Sequence, residues 1–157
     1  MRRARLSLTV SCLALTLSPA VAAPVLMPHR AVYDLSLDHA SDRSGITALT
    51  GRMVYEFNGS ACEGYTVKFR FVTQINTNEM SRMTDQQTTT FEDAEGKTFS
   101  FVTKSFIDQN LDREVKGTAT RETSGLDVEL EKPEKNRIEL QRTQFPTQHL
   151  VELIDKA

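Results

Sequence analysis

The chain is 157 residues long, with 19 basic and 21 acidic side chains, a formal charge of −2 and no tryptophan. That length suits a single domain. An acidic balance without a basic cluster argues against nucleic-acid binding and against electrostatic docking on an anionic membrane surface.

The N-terminus reads as a targeting segment. Met1-Arg2-Arg3-Ala4-Arg5 is basic, Leu6 to Leu17 is an apolar run, and Ala20-Val21-Ala22 is a small-x-small cleavage signal. This is the three-part layout of a secretory signal peptide over residues 1–22. The apolar run is shorter than the roughly 20 residues a membrane span needs, so no transmembrane segment is expected after cleavage. Cleavage after Ala22 removes three arginines and Cys12, leaving one domain over residues 23–157 with a formal charge of −5 and Cys62 as its lone cysteine. An odd cysteine in an oxidising compartment points to an intermolecular bond, a free thiol or a missing partner. A buried, inert thiol is a fourth reading.

From His29 onward the dominant period is two. Tyr33, Leu35 and Leu37 alternate with Asp34 and Ser36, the pattern of a strand with one buried face. A polar loop over Asp38 to Ser44 leads to a second run with Leu49, Gly51, Met53, Tyr55 and Phe57 on one side. Asn58-Gly59 predicts a type I′ hairpin turn, since both residues tolerate positive φ. Cys62 then falls just past the tip, and Tyr65, Val67, Phe69 and Phe71 line the returning strand. Met80 to Phe91 is polar and threonine-rich, which suits a solvated or edge strand. Asp93 to Lys97 is a turn, and Phe99 to Phe106 resumes β patterning. Further alternating segments lie at Arg113 to Arg121, Leu126 to Glu131 and Arg137 to Gln141. Strands at this spacing predict an all-β sandwich, barrel or meander.

Only the end changes period. Thr147 is placed to cap a helix, and Leu150, Leu153 and Ile154 form an apolar stripe at helical spacing. A helix this short is marginal in water and must pack on something. The lone cysteine, the helix reaching Ala157 and the many strands with nothing to close them predict the N-terminal part of a longer protein, because open sheet edges are normally covered.

Chemical motifs are sparse. His29, His39 and His149 lie far from one another and from Cys62, so no metal-ligand spacing is present. No nucleophile elbow or phosphate-binding glycine loop occurs. Glu63 beside Cys62 raises a thiol's pKa rather than activating it. No catalytic residue, metal or cofactor is expected. What stands out is an apolar face gathered from several strands: Tyr55, Phe57, Tyr65, Phe69, Phe71, Phe99, Phe101 and Phe106. It is either an ordinary core or a face that holds an acyl chain or apolar peptide.

The segments His29 to Leu37, Gly51 to Tyr65 with Cys62, Phe91-Glu92-Asp93 with Gly96, and Phe145-Pro146-Thr147-Gln148-His149 resemble the EipB family of periplasmic cell-envelope integrity proteins of Gram-negative bacteria. The resemblance runs along the whole mature chain. It implies a strongly curved antiparallel β-sheet, a β-spiral or open barrel similar to LolA/LolB-type lipoprotein carriers, here with a short C-terminal helix. It also implies a non-enzymatic role in envelope integrity, with a lipid, lipoprotein or periplasmic envelope protein as partner. Members are about twice as long and carry a second, late cysteine bonded to the one matching Cys62. That implied partner is absent from this chain. The rival expectation is a structural module that recruits a protein through exposed strand edges.

Overall fold

The computed structural model describes residues 26–157. The expected signal peptide, residues 1–22, lies outside the described residues. The alternating segments form eight strands: β1 (His29–Ser36), β2 (Ile46–Ser60), β3 (Gly64–Thr77), β4 (Ser81–Glu92), β5 (Thr98–Ile107), β6 (Asn110–Arg121), β7 (Gly125–Lys132) and β8 (Asn136–Gln141). Helix α1 (Pro146–Asp155) follows. Sheet order is chain order, every neighbouring pair is antiparallel, and β1 does not pair with β8. The described strands are an open meander of one sheet, the all-β antiparallel class that the alternation predicts.

Residues directly opposite across a ladder share a face. Starting from Phe57, the register places His29, Val67, Thr90, Phe101, Gly117 and Leu130 on the same side. We call this the aromatic face. The other side carries the cross-strand ion pairs Arg30–Glu56, Arg52–Asp34, Arg70–Asp85, Lys104–Glu114 and Arg137–Asp127. It is the charged face.

Several expectations give way to tertiary context. Asn58-Gly59 is not the hairpin turn. Asn58 pairs with Thr66 and Gly59 with Tyr65, so β2 continues to Ser60 and the chain reverses over Ala61, Cys62 and Glu63. Positive φ falls on Gly59 and on Gly64, where a Cβ would come within 2.5 Å of the Glu92 carbonyl oxygen. Close approach of the next hairpin, rather than turn chemistry, requires Gly64. Cys62 sits at the tip itself, exposed and unbonded. The threonine-rich β4 is not an edge strand. It is central, between β3 and β5. Phe106 pairs with Asp85 and lies on the charged face, not with the other aromatics.

Helix α1 departs from expectation in two ways. Pro146 takes the first helical position, so the N-cap is Phe145, which offers no side-chain acceptor, and Thr147 lies inside the first turn. The orphan amides are satisfied from elsewhere in the chain. Glu92, at the end of β4, is 5 % exposed. Its Oε2 accepts the Thr147 N–H at 2.9 Å and its Oε1 the Gln148 N–H at 3.1 Å. A carboxylate at a helix N-terminus is favoured by the orphan N–H groups and by the helix dipole. The stripe of Leu150, Leu153 and Ile154 does not pack on the sheet and is exposed. Burial comes instead from Phe145, 2 % exposed, which joins Ala119, Leu126 and Val128 with Phe99, Phe101 and Leu130 around them.

Arg121 secures the same corner. Its guanidinium donates to the carbonyls of Gly96 and Thr143 at 2.9 and 3.0 Å and to Gln148 Oε1 at 2.8 Å, and it lies 4.8 Å over the Phe145 ring. The turn beneath is held by Asp93, which accepts from the Lys97 and Thr98 amides and the Thr98 hydroxyl. Partial burial pushes the Asp93 carboxyl up, but these hydrogen bonds outweigh it and hold the group below its ordinary value.

Glu92→Ala should lower the unfolding free energy by about 1.5–3 kcal/mol, the range for hydrogen bonds to a charged group, in urea denaturation. Asp93 has a folded pKa below its unfolded one. Its stabilisation is therefore complete above the unfolded value of about 3.9 and disappears as pH falls through the folded value. Asp93→Ala should melt below the parent at neutral pH, with the gap closing in acid. A constant gap down to pH 2 would contradict this assignment.

Candidate functional site

All seven aromatic residues expected to form a ligand face, Tyr55, Phe57, Tyr65, Phe69, Phe71, Phe99 and Phe101, project from the aromatic face. The structure does not gather them into one field. Phe57 is buried, 2 % exposed, with the His29 ring 5.6 Å away on one side and Tyr65 5.2 Å away on the other. Tyr55, Phe69 and Phe71 are half-buried, with the Phe69 and Phe71 centroids 6.3 Å apart. Half-burial pushes the Tyr55 phenol above its ordinary pKa. Phe99 and Phe101 stack at 6.0 Å, and Phe99 also meets Phe145 at 5.5 Å. That second pair belongs to the corner that α1 covers.

Strand β4 separates the two fields. The side chains it turns to the aromatic face are Arg82, Thr84, Gln86, Thr88, Thr90 and Glu92. Thr84 bonds the Thr73 hydroxyl at 2.6 Å and Thr88 bonds Thr103 at 3.1 Å, so neighbouring strands meet this polar rail with hydroxyls of their own. The rail was hidden in the sequence because β4 is polar on both faces and shows no alternation. Glu92 and Arg121 were also missed. A helix that opens Phe-Pro has no capping side chain of its own, and that was the available signal for an acceptor from another element.

On β1–β3 the aromatic rings other than Phe57 are at most half-buried among the described residues, since Phe145 and the first turn of α1 sit at the β5–β7 end. Tyr33 there is 52 % exposed. Elsewhere the described residues carry open hollows. One of about 510 Å³ lies on the charged face, against Asp34, Arg52, Val54, Arg70, Val72 and Met83, and both of its arginines are ion-paired. Among the described residues no His, Cys, Asp or Glu group is arranged to hold a metal ion, and no helix is long and apolar enough to cross a membrane. His149 Nδ1 lies 3.2 Å from Gln144 Oε1.

The EipB-like family model matches residues 20–157. The chain belongs to the EipB-like family. It is 60 % identical over 139 residues to the cell envelope integrity protein EipB of Brucella abortus (strain 2308), covering 88 % of this chain and 50 % of that protein. It is also similar to the crystal structure of a beta-barrel-like protein of a domain of unknown function from Brucella abortus. The TM-score is 0.77 at 61 % identity, over 82 % of this chain and 55 % of that one. The chain thus spans about half the length of the relatives it matches.

Within the β1–β3 field, burial sets what truncation should do. Phe57→Ala removes a fully buried ring and should cost about 3–5 kcal/mol. Phe71→Ser, at a half-buried ring of the same field, should cost less than half as much if this part of the face is surface rather than core. Chemical denaturation of both variants checks the contrast, and equal losses would make the whole face a core.

Proposed function

We propose that this chain forms about half of a periplasmic, non-enzymatic protein that supports cell-envelope integrity by binding, with the β1–β3 part of the aromatic face as its contact surface. The observation that carries the reading is that this field of half-buried aromatics lies open, while the charged face is dressed with matched ion pairs. Exposed apolar area of this kind marks an interaction site more often than a defect. The name of the Brucella relative places that protein in envelope integrity, and the shared family supports the same role here. Residues 1–22 act as the export signal. In the whole protein the sheet continues into a strongly curved spiral, the aromatic face turns inward, and Cys62, exposed at its hairpin tip, bonds a later cysteine. The occupant is a lipid or the acyl part of a lipoprotein. A second reading, recruitment of a protein by strand addition, draws on β8, all six of whose residues are exposed.

Native mass spectrometry of the full natural polypeptide, extracted gently from membranes, tests the first reading. Retained lipid-sized adducts that Phe71→Ser and Tyr55→Ser release support it. A protein that stays empty, while crosslinks from β8 capture a partner, replaces it with the second. Peptide mapping under non-reducing conditions should find Cys62 in a disulfide, and a free thiol in protein from oxidising medium would remove that bond from the scheme.

A further inference from the structure

We propose that the open field takes one lipid with an anionic headgroup, laid across the strands with its tail on β1–β3 and its head near Arg113. The assignment rests on the lipid-binding reading above and adds the headgroup's charge and its place. One cross-strand row carries it. From β1 to β6 the register aligns Tyr33, Met53, Phe71, Gln86, Ser105 and Arg113 on the aromatic face. The order is apolar, then neutral and polar, then cationic. Six strands at the usual spacing of about 4.8 Å make the row about 24 Å long. A lipid tail spans about half of a 30 Å hydrocarbon core. A tail starting at β1 therefore ends near β4, where the polar rail begins, and the headgroup falls on β5 and β6.

The charges on this face are unbalanced in the sense such a head requires. Arg113 and Arg82, which lies opposite Ile75 at the start of β4, are exposed and belong to this face. Neither takes part in an ion pair among the described residues. Asp112 is the residue skipped at the β5–β6 bulge and makes no ion pair with Arg113, and the Asp108 carboxylate is used by the Met83 amide at 2.8 Å. Glu92, the carboxylate that the strands turn to this face, is buried and committed to α1. On the opposite face Arg30, Arg52, Arg70 and Arg137 each have a carboxylate. Two unmatched arginines in a chain of net negative charge are complementary to a phosphate or carboxylate head, and a zwitterionic head leaves them less satisfied.

The test is calorimetric titration of the full natural polypeptide with myristoyl-lysophosphatidylglycerol and with myristoyl-lysophosphatidylcholine, each below its micelle concentration. The anionic lipid should bind about tenfold more tightly, the worth of one charge-assisted hydrogen bond. Arg82→Gln with Arg113→Gln should abolish that preference while leaving the weaker binding, and Phe71→Ser should weaken both lipids alike. Equal affinities in the parent, or a preference that survives the double arginine variant, overturn the headgroup assignment and leave lipid binding standing. If neither lipid binds, whether a second copy or a peptide then occupies the face, the lipid-binding reading fails and this assignment fails with it.

Discussion

The bond between the Glu92 carboxylate and the first turn of α1 is the constraint on which the layout of this molecule turns. A ten-residue helix does not persist in water unaided, and one that opens Phe-Pro-Thr lacks a capping side chain at its start. Glu92 supplies both missing acceptors from a strand 55 residues earlier in the chain. That tether brings Phe145 down onto Phe99, with the Arg121 guanidinium also over its ring. Charge, dipole and ring stacking act together at this corner, so the sheet's β5–β7 end has a small sealed core.

Because the helix is held there, it does not lie over β1–β3. The two ends of one face consequently have different fates. One is a core, with Phe145 and Leu126 almost wholly removed from water. The other remains an open aromatic field, and β4 runs between them as a rail of hydroxyls and amides. Threonine suits this position on both counts: its β-branched carbon favours an extended strand, and its hydroxyl finds a partner across the ladder at Thr73 and Thr103. The charged face instead carries ion pairs across strands. The described residues thus carry ion pairs across one face of the sheet and an open aromatic field on part of the other.

Much of this was legible along the chain. Leu126, Val128 and Leu130 alternate strictly with acids, and they face inward as that period demands. Tyr55 and Phe57 pair across β2 and β3 with Phe69 and Val67, as matched apolar sides require. Where reading failed, a local rule lost to a neighbour. Asn58-Gly59 has ideal turn chemistry, yet the ladder runs past it, since Gly64 is the residue that must let the Glu92 strand approach. Leu150, Leu153 and Ile154 look like a packing stripe, but the tether orients α1 by its first turn and leaves that stripe in solvent. Phe106 follows Phe99 and Phe101 in the chain but lies an odd number of positions further on, and the period of two sends it to the other face.

By itself the sequence determined the class of structure, the approximate places of the strands and, Phe106 apart, which aromatic rings share a side, because those follow from a period of two that each strand carries internally. Only the tertiary structure decided which strand is central, where the helix is moored and which rings are left uncovered. Those outcomes depend on contacts between residues far apart in the chain, Glu92 with Thr147 and Arg121 with Phe145 among them. No local pattern encodes such a meeting until the sheet has brought its members together.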